Sequence, residues 1–384
     1  MWIAAAASGC AAAPPALAEQ QRTVIIGTRP IELHLFLQPQ HTAHAARYFD
    51  AAHGVLQRLS DWLGPYPHER LAIFDLRVGA ILGVHPASVI VPARRFEPMR
   101  SRALEVALIR AVAAHYWDTS IDTTLLGPSG LASALQRFTA TRAVDEMYGA
   151  QRLYEEDFFA GFVPYVIRSV PVHGLNGDAR RDTYSSALAT LERSLGWPVM
   201  QQALQLFFQR WQSRRPAPED FFATVEEVAH RDLRWFFNDA FQSAHVFDYG
   251  IEELSSMPHP TSPDRFVTSV VVRRYGDGVF SGTARAESGP FESGRGVELL
   301  VRFGSGETLR DFWDGRAQTK TFSYESGTRA DFARVDPDEI LAVDADRSNN
   351  MRALNVTMSS RIVRWAFAWT AWLQNAMLTY APLL

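Results

Sequence analysis

Short apolar runs and longer helical repeats alternate along the first third of the chain. Strands are expected where β-branched residues cluster, and a helix where apolar residues recur every three or four positions. From Pro39 the helical repeat continues to Leu63, where Gly64-Pro65 stops it. The pattern predicts a small sheet with helices, with strands at 22–26, 31–37, 71–76 and 88–91 and helices at 39–63 and 100–117.

Helical spacing dominates the middle of the chain up to about His245. Gly and Pro punctuate this stretch, and Asp232 is a plausible N-cap for its last helix. An all-helical lobe is therefore predicted, with helices at 131–147, 184–195, 199–211, 220–228 and 232–241.

After His245 the pattern changes to short alternating runs divided by turns rich in Gly, Ser and Pro. Asp-Gly turn pairs occur at Asp277-Gly278 and Asp314-Gly315. Such runs are typical of a small antiparallel β-sandwich. Its predicted strands lie at 266–273, 282–286, 297–303, 308–313, 320–324 and 341–344.

The C-terminal tail carries no charge from Trp365 to Leu384, a length that reaches the threshold for a transmembrane helix. Trp365, Trp369 and Trp372 share one helical face, whereas Gln374 lies on another side. A membrane contact through residues 365–384 and a helix docked on protein both fit this pattern. We expect residues 361–380 to form one docked helix, because a spanning helix needs no such asymmetry.

Composition narrows the class of protein. The chain has 384 residues, enough for two or three domains, and a formal net charge of −4 with no basic stripe, so nucleic-acid binding has no electrostatic support. The single cysteine, Cys10, excludes an intrachain disulfide framework and a Cys-based zinc site. Cys10 follows Ala-Ser-Gly, which resembles a lipoprotein cleavage box, but the segment also fits the tail of an upstream element.

The helix predicted at 100–117 ends in a degraded version of a zinc motif. In HExxH, two His one turn apart bind Zn²⁺ and the Glu between them is the general base. If His115 is the second His, the first falls on Ala111 and the base on Val112. Neither side chain can supply the chemistry of that position.

Several further segments occur in a distinctive order. They are Leu63-Gly64-Pro65-Tyr66-Pro67, Gly83-Val84-His85-Pro86-Ala87, His115-Tyr116-Trp117, Pro128-Ser129-Gly130-Leu131-Ala132, Tyr184-Ser185-Ser186-Ala187, Asp248-Tyr249-Gly250-Ile251 and Trp313-Asp314-Gly315. Over roughly residues 31–348 this order resembles the alanyl-aminopeptidase family of gluzincin zinc peptidases, which includes leukotriene A hydrolase.

The resemblance implies a role for each aligned residue, and most roles are lost. His85, near Gly83, stands where the family has the Glu that binds the substrate amine, and Ser129 stands at the third zinc ligand. Tyr184 stands at the tyrosine that stabilises the transition state. The loop before Ser129 is also shorter than in the family. We therefore expect a cleft with no bound zinc and no general base.

The resemblance also implies an α+β multidomain architecture. A thermolysin-like domain is expected at residues 31–245 and a β-sandwich at 246–348. The apolar C-terminal helix expected at 349–384 comes from the uncharged tail and not from the resemblance. Residues 1–30 are expected to be a remnant of the family's N-terminal sheet domain or a targeting segment.

The function expected is that of an inactive homologue that binds or scaffolds another protein, without a cofactor. The alternative is an active metallo-aminopeptidase that holds zinc in an unconventional site, with His115 and His85 as ligands. A third option is a fragment that folds without function. His115 and Tyr184 are otherwise expected to be packed, hydrogen-bonded core residues. His41 and His44, three residues apart, suggest either a surface metal pair or a solvated polar face.

The compartment stays open at this stage. A lipidated Cys10 places the domains outside the cytoplasm, in the cell envelope. A spanning tail places them inside, because the nearby Arg residues all precede it. At most one of these two membrane signals is real.

Overall fold

The computed structural model describes residues 17–76, 87–92, 102–127, 130–149, 178–243, 245–281, 296–354 and 369. The chain divides into two compact units. The first comprises Met1–Asp61 and Pro65–Thr119, and the second comprises Trp62–Gly64 and Ser120–Leu384. Both sheets and helices are present, so the α+β class expected from the sequence is confirmed.

A four-stranded sheet forms the framework of the first unit. Its strands lie in the order β1-β2-β3-β4; β1 is antiparallel to β2, and the other three are parallel. Alternate residues of β2 from Ile31 to Leu37 are fully buried, which is the alternation that the sequence shows. The strands are β1 (Ala18–Ile26), β2 (Arg29–Leu37), β3 (Arg70–Leu76) and β4 (Ser88–Pro92).

Two helices accompany this sheet in the chain, α1 (Ala45–Leu63) and α2 (Ala103–Ser120). The helix predicted from Pro39 starts instead as a 3₁₀ turn, Pro39–His44, and becomes α-helical at Ala45. Such 3₁₀ turns are frequent at helix N-termini. Helix α2 is buried around much of its circumference, which is typical of a core helix.

Five helices of the second unit match the predicted lobe. Phe207 of α5 meets Phe221 of α6 edge to face, and Phe222 stacks on Phe237 with ring centroids 4.3 Å apart. These rings form the core of the lobe. The helices are α3 (Leu131–Tyr148), α4 (Asp178–Leu195), α5 (Trp197–Trp211), α6 (Pro218–Ala229) and α7 (Arg234–Phe237), and a π-helical turn (Asn238–Gln242) follows.

The predicted N-cap at Asp232 is wrong by one residue. Helix α7 begins at Arg234, and the residue before it, Leu233, occupies the cap position. The Asp232 carboxylate accepts the backbone N–H of Arg234 two residues later and pairs with its guanidinium. This local side-chain-to-backbone bond forms a turn that competes with helix at Asp232.

Two antiparallel sheets follow in the second unit. Their strand orders are β11-β10-β7-β8 and β5-β6-β9, and β5 contacts β10 and β11. The predicted bounds of β7 and β8 agree with the structure at both ends. The strands are β5 (Tyr249–His259), β6 (Ser262–Arg274), β7 (Val297–Phe303), β8 (Thr308–Trp313), β9 (Thr319–Ser326), β10 (Ala330–Val335) and β11 (Met351–Ala353).

The strand predicted at 341–344 is wrong, because these residues form a turn. The Asp336 carboxylate accepts the N–H groups of Ile340 and Leu341, both at 2.8 Å. The Val343 N–H donates to Thr190 Oγ1 at 3.2 Å. With these donors engaged, only an isolated bridge from Asp344 to Phe247 remains. The strand predicted at 282–286 lies outside the described residues.

Three strands of the second unit, β5, β10 and β11, were not predicted from the sequence. In β5 a bulge between Ile251 and Glu253 shifts the pairing register, so the apolar and polar positions do not alternate along the whole strand. Strand β10 has a similar shift between Ala330 and Phe332. Strand β11 has three residues, too few to show alternation.

The predictions for the two chain ends fall almost entirely outside the described residues. Cys10 lies outside them, and of the predicted helix at 361–380 only Trp369 is described. Its side chain is exposed. Within the described ranges, no helix is both long and apolar enough to cross a bilayer.

Candidate functional site

The three positions compared above with HExxH, Ala111, Val112 and His115, lie on α2, where a helix was predicted. Ala111 and His115 are one turn apart and partly exposed. Val112 is fully buried. The helix therefore presents one imidazole and one methyl group where two zinc ligands are expected, and it points the base position into the core.

His115 is engaged by another side chain of the first unit. Its Nε2 lies 2.8 Å from the hydroxyl oxygen of Tyr66, in the segment between α1 and β3. The ring of His68, two residues further on, stacks on that of His115 with centroids 5.7 Å apart. Tyr116, the next residue on α2, lies with its hydroxyl 3.2 Å from Ser60 Oγ.

Burial keeps this cluster neutral. Burial, followed by the nearby charge of His68, lowers the pKa of His115 to about 4. Burial raises the pKa of Tyr66 well above its ordinary value. The Tyr66–His115 bond then joins two neutral groups. Either Nε2 carries the proton and donates it, or its lone pair accepts the tyrosine proton, so neither arrangement leaves that lone pair for a metal.

The first turn of α2 is held by an ion-pair cluster. Arg47 of α1 contacts both carboxylate oxygens of buried Glu105, at 2.9 and 2.7 Å, and Arg102 approaches at 3.3 Å. Burial favours a higher pKa for Glu105, but the hydrogen bonds from Arg47 and the backbone outweigh it and the pKa is lowered. A bidentate Arg–carboxylate pair fixes geometry, so this pair holds the N-terminal end of α2 against α1.

The residues described on α2 do not fit a zinc ion. A catalytic zinc needs three protein ligands and an open position. Ala111 offers no lone pair, Val112 cannot accept a proton, and His115 Nε2 is already hydrogen-bonded to Tyr66. In the part of the chain that the structure describes, no group of three or more His, Cys, Asp or Glu side chains could hold a metal ion. Gly83, His85 and Ser129 lie outside that part.

Tyr184 lies on α4 in the second unit and is buried. Its hydroxyl donates to the Phe241 carbonyl oxygen at 3.1 Å, and its ring stacks on Phe241 with centroids 5.2 Å apart. Gly130 has φ +78°, and a Cβ built there would lie 2.9 Å from the Tyr184 ring. A glycine is therefore needed beside this tyrosine.

We expect Tyr184→Phe to lower the free energy of unfolding by about 1 kcal/mol, because one intramolecular hydrogen bond is lost while the ring packing remains. Urea unfolding of both proteins measures this. Tyr148→Phe, also at a tyrosine of the helical lobe but only partly buried, provides a comparison. A loss above about 3 kcal/mol would show that the hydroxyl does more than bond to Phe241.

Sequence reasoning missed Tyr66 and His68 as partners of His115. Both lie in the Gly64-Pro65-Tyr66-Pro67-His68 run that contributed to the family resemblance, 49 residues from His115 in the case of Tyr66. The available signal was the concentration of polar aromatic residues in a short Pro-rich turn. That signal does not say which helix the turn contacts.

Comparisons with known proteins give a fold and no family. No protein-family model and no curated protein matches the sequence. Among solved structures, aminopeptidase A of Legionella pneumophila in complex with aspartic acid is similar, with 10% identity and a TM-score of 0.55. The match covers 85% of this chain and 38% of that one, so the chain spans well under half of the aminopeptidase. The likeness at this identity concerns the fold alone.

Proposed function

We propose that this chain is a catalytically inactive member of the gluzincin aminopeptidase family that serves as a protein-binding or scaffolding subunit. In this proposal residues 31–245 form a thermolysin-like domain and the β-sandwich runs from 246 through strand β11 (Met351–Ala353), so the C-terminal helix expected at 349–384 begins later than its predicted start. Residues 361–380 are proposed to form the docked helix. The Tyr66–His115 hydrogen bond is the observation that carries it. At the position where the family binds zinc, the remaining imidazole serves protein packing.

The substitutions on α2 support loss of chemistry at two independent steps. Ala111 removes a metal ligand, and Val112 removes the group that would deprotonate a metal-bound water. A chain that regained the metal would still lack its base. The likeness in fold to an aminopeptidase is retained while these side chains are not, which favours a role that uses the surface of the fold.

The proposal is tested by metal content and peptidase activity measured on the same preparation. After purification without chelators, we expect far less than one zinc per chain by elemental analysis. We also expect no turnover of alanyl or leucyl reporter substrates, and no change in either result for His115→Ala. About one zinc per chain that is lost in His115→Ala would instead support the alternative, an active metallo-aminopeptidase with an unconventional site.

The binding role has its own test. Tagged chain purified from its native host should retain the same protein partner after a high-salt wash. Truncation after Leu354, which keeps strand β11 in its sheet, should release that partner if the tail is the contact. The opposite outcome is that the full chain is recovered only with detergent, whereas the truncated chain is soluble without it. That result would identify residues 365–384 as a membrane anchor and contradict the docked-helix proposal.

A further inference from the structure

A second group of histidines lies at the carboxyl ends of the parallel strands β2 and β3, away from α2 in sequence. The 3₁₀ turn Pro39–His44 follows β2 directly and carries His41 and His44. Asp75 is the penultimate residue of β3. Loops at the carboxyl edge of parallel strands are where open α/β sheets place ligand sites. A ligand site at this edge of the sheet would therefore be built from His41, His44 and Asp75.

Asp75 is fully buried, and a carboxylate in that position requires a positive or hydrogen-bonding partner. His41 Nδ1 approaches Asp75 Oδ2 at 2.6 Å, and the Gln38 backbone N–H donates more weakly at 3.4 Å. Among the described residues, Asp75 Oδ1 has no hydrogen-bond partner. In the described part of the chain, His41 is therefore the one side chain that hydrogen-bonds to the Asp75 carboxylate, and Asp75 Oδ1 can still accept a hydrogen bond.

The contact with Asp75 sets the tautomer of His41. Because the carboxylate accepts, Nδ1 carries the proton, and the lone pair of a neutral ring is on Nε2. Nε2 points away from Asp75 and forms no hydrogen bond with a described residue. The His41 side chain as a whole is 18% exposed, and its Nδ1 side is held by Asp75.

The 3₁₀ turn places the second imidazole beside the first. With three residues per turn, side chains at i and i+3 eclipse, so His41 and His44 project from the same side. Their ring centroids are 6.4 Å apart. Two imidazoles on one tetrahedral ion, with metal–nitrogen bonds of about 2.0–2.1 Å, have centroids roughly 5 to 6 Å apart. The partly exposed His44 ring would have to move closer to His41 by about 1 Å to reach this distance.

We propose that His41 Nε2 and His44 bind one borderline divalent cation of the Zn²⁺, Cu²⁺ or Ni²⁺ class, with Asp75 as the positioning residue. Imidazole nitrogen is a preferred ligand for these ions. A carboxylate on the far nitrogen of a ligating histidine is the arrangement by which proteins orient such ligands and raise their basicity. Since two side chains and water complete the coordination, the ion exchanges readily and is removed by desalting.

Asp75 contributes through charge as well as orientation. A cation on Nε2 gives the His41 ring a positive character that the buried carboxylate favours. The same carboxylate cannot itself be a ligand, because it lies on the inner side of the ring.

Isothermal titration of ZnCl₂ into the full chain at pH 7.5, after chelator treatment and desalting, tests the proposal. One site is expected, with affinity at least tenfold weaker in His41→Ala and in His44→Ala. The matched control is His53→Ala, an exposed histidine on α1, which should bind as the wild type does. Asp75→Asn should weaken binding by about 10- to 100-fold.

Because Asp75 is buried and Asp75→Asn can disturb folding, the partly exposed His44 gives the decisive variant. Electron paramagnetic resonance of the Cu²⁺ complex should show coupling to two imidazole nitrogens in the wild type and to one in His44→Ala. No Zn²⁺ binding by the wild type, or binding unchanged by both His41→Ala and His44→Ala, overturns the site. Binding that requires His115 instead would contradict the proposed function as well, and so distinguishes the two failures.

Discussion

Val112→Glu is expected to lower the free energy of unfolding by about 3–5 kcal/mol at pH 7. Val112 is fully buried on α2, at the position where the family carries its general base. A carboxylate introduced there loses its hydration without gaining a partner, and uncompensated buried charges cost several kcal/mol. Guanidinium unfolding at pH 7 measures the loss.

The matched control is Ala111→His, one residue earlier and partly exposed. Its larger side chain can reach solvent, so we expect a change within about 1 kcal/mol. If Val112→Glu lowers the free energy of unfolding much more than Ala111→His, the loss comes from burial of position 112. A similar loss in both variants would mean that any substitution on this part of α2 is destabilising. If Val112→Glu were as stable as the wild type, position 112 would have to be accessible to solvent, which contradicts its burial.

This result bears on whether activity can be rebuilt. Restoring the family pattern at 111, 112 and 129 should give no aminopeptidase, because the base at 112 would be placed in an apolar core. Catalytic groups also need placement within a fraction of an ångström.

The second large effect is a loss of stability in acid that depends on His115. The pKa of this imidazole is lowered to about 4 in the folded chain, first by burial and then by His68, against about 6.5 when unfolded. Between pH 6.5 and pH 4, His115 is protonated in the unfolded chain and largely unprotonated in the folded chain. The stabilisation is therefore complete above that pH and is lost as the pH falls toward 4, by about 2 kcal/mol between pH 7.5 and pH 5.

His115→Gln isolates this contribution, because glutamine keeps a hydrogen-bonding group near Tyr66 and does not titrate. The variant should lose about 2 kcal/mol less than the wild type between pH 7.5 and pH 5. Urea unfolding at both pH values gives the comparison, and His53→Gln controls for removal of an exposed histidine. Equal acid sensitivity of wild type and His115→Gln would mean that His115 titrates near its ordinary pKa and that the cluster is solvated.

Most helices and strands could be predicted from local sequence patterns. The bounds of β7 and β8 were predicted from short runs of alternating residues. The C-terminal end of α5 at Trp211 was predicted from apolar spacing, although the helix begins at Trp197, two residues before its predicted start. That Ala111 cannot bind a metal and Val112 cannot accept a proton follows from residue identity alone. The structure then adds that Val112 is in the core.

Tertiary structure decided what lies far apart in sequence or departs from regular pairing. The sequence at 341–344 predicts a strand, but these residues form a turn. The Asp336 carboxylate accepts the N–H groups of Ile340 and Leu341, and Thr190 Oγ1 accepts that of Val343. The bond of His115 to Tyr66 spans 49 residues, and that of His41 to Asp75 spans 34. The periodicity of the sequence cannot predict these two hydrogen bonds, because they join residues that only the packing of separate elements brings together.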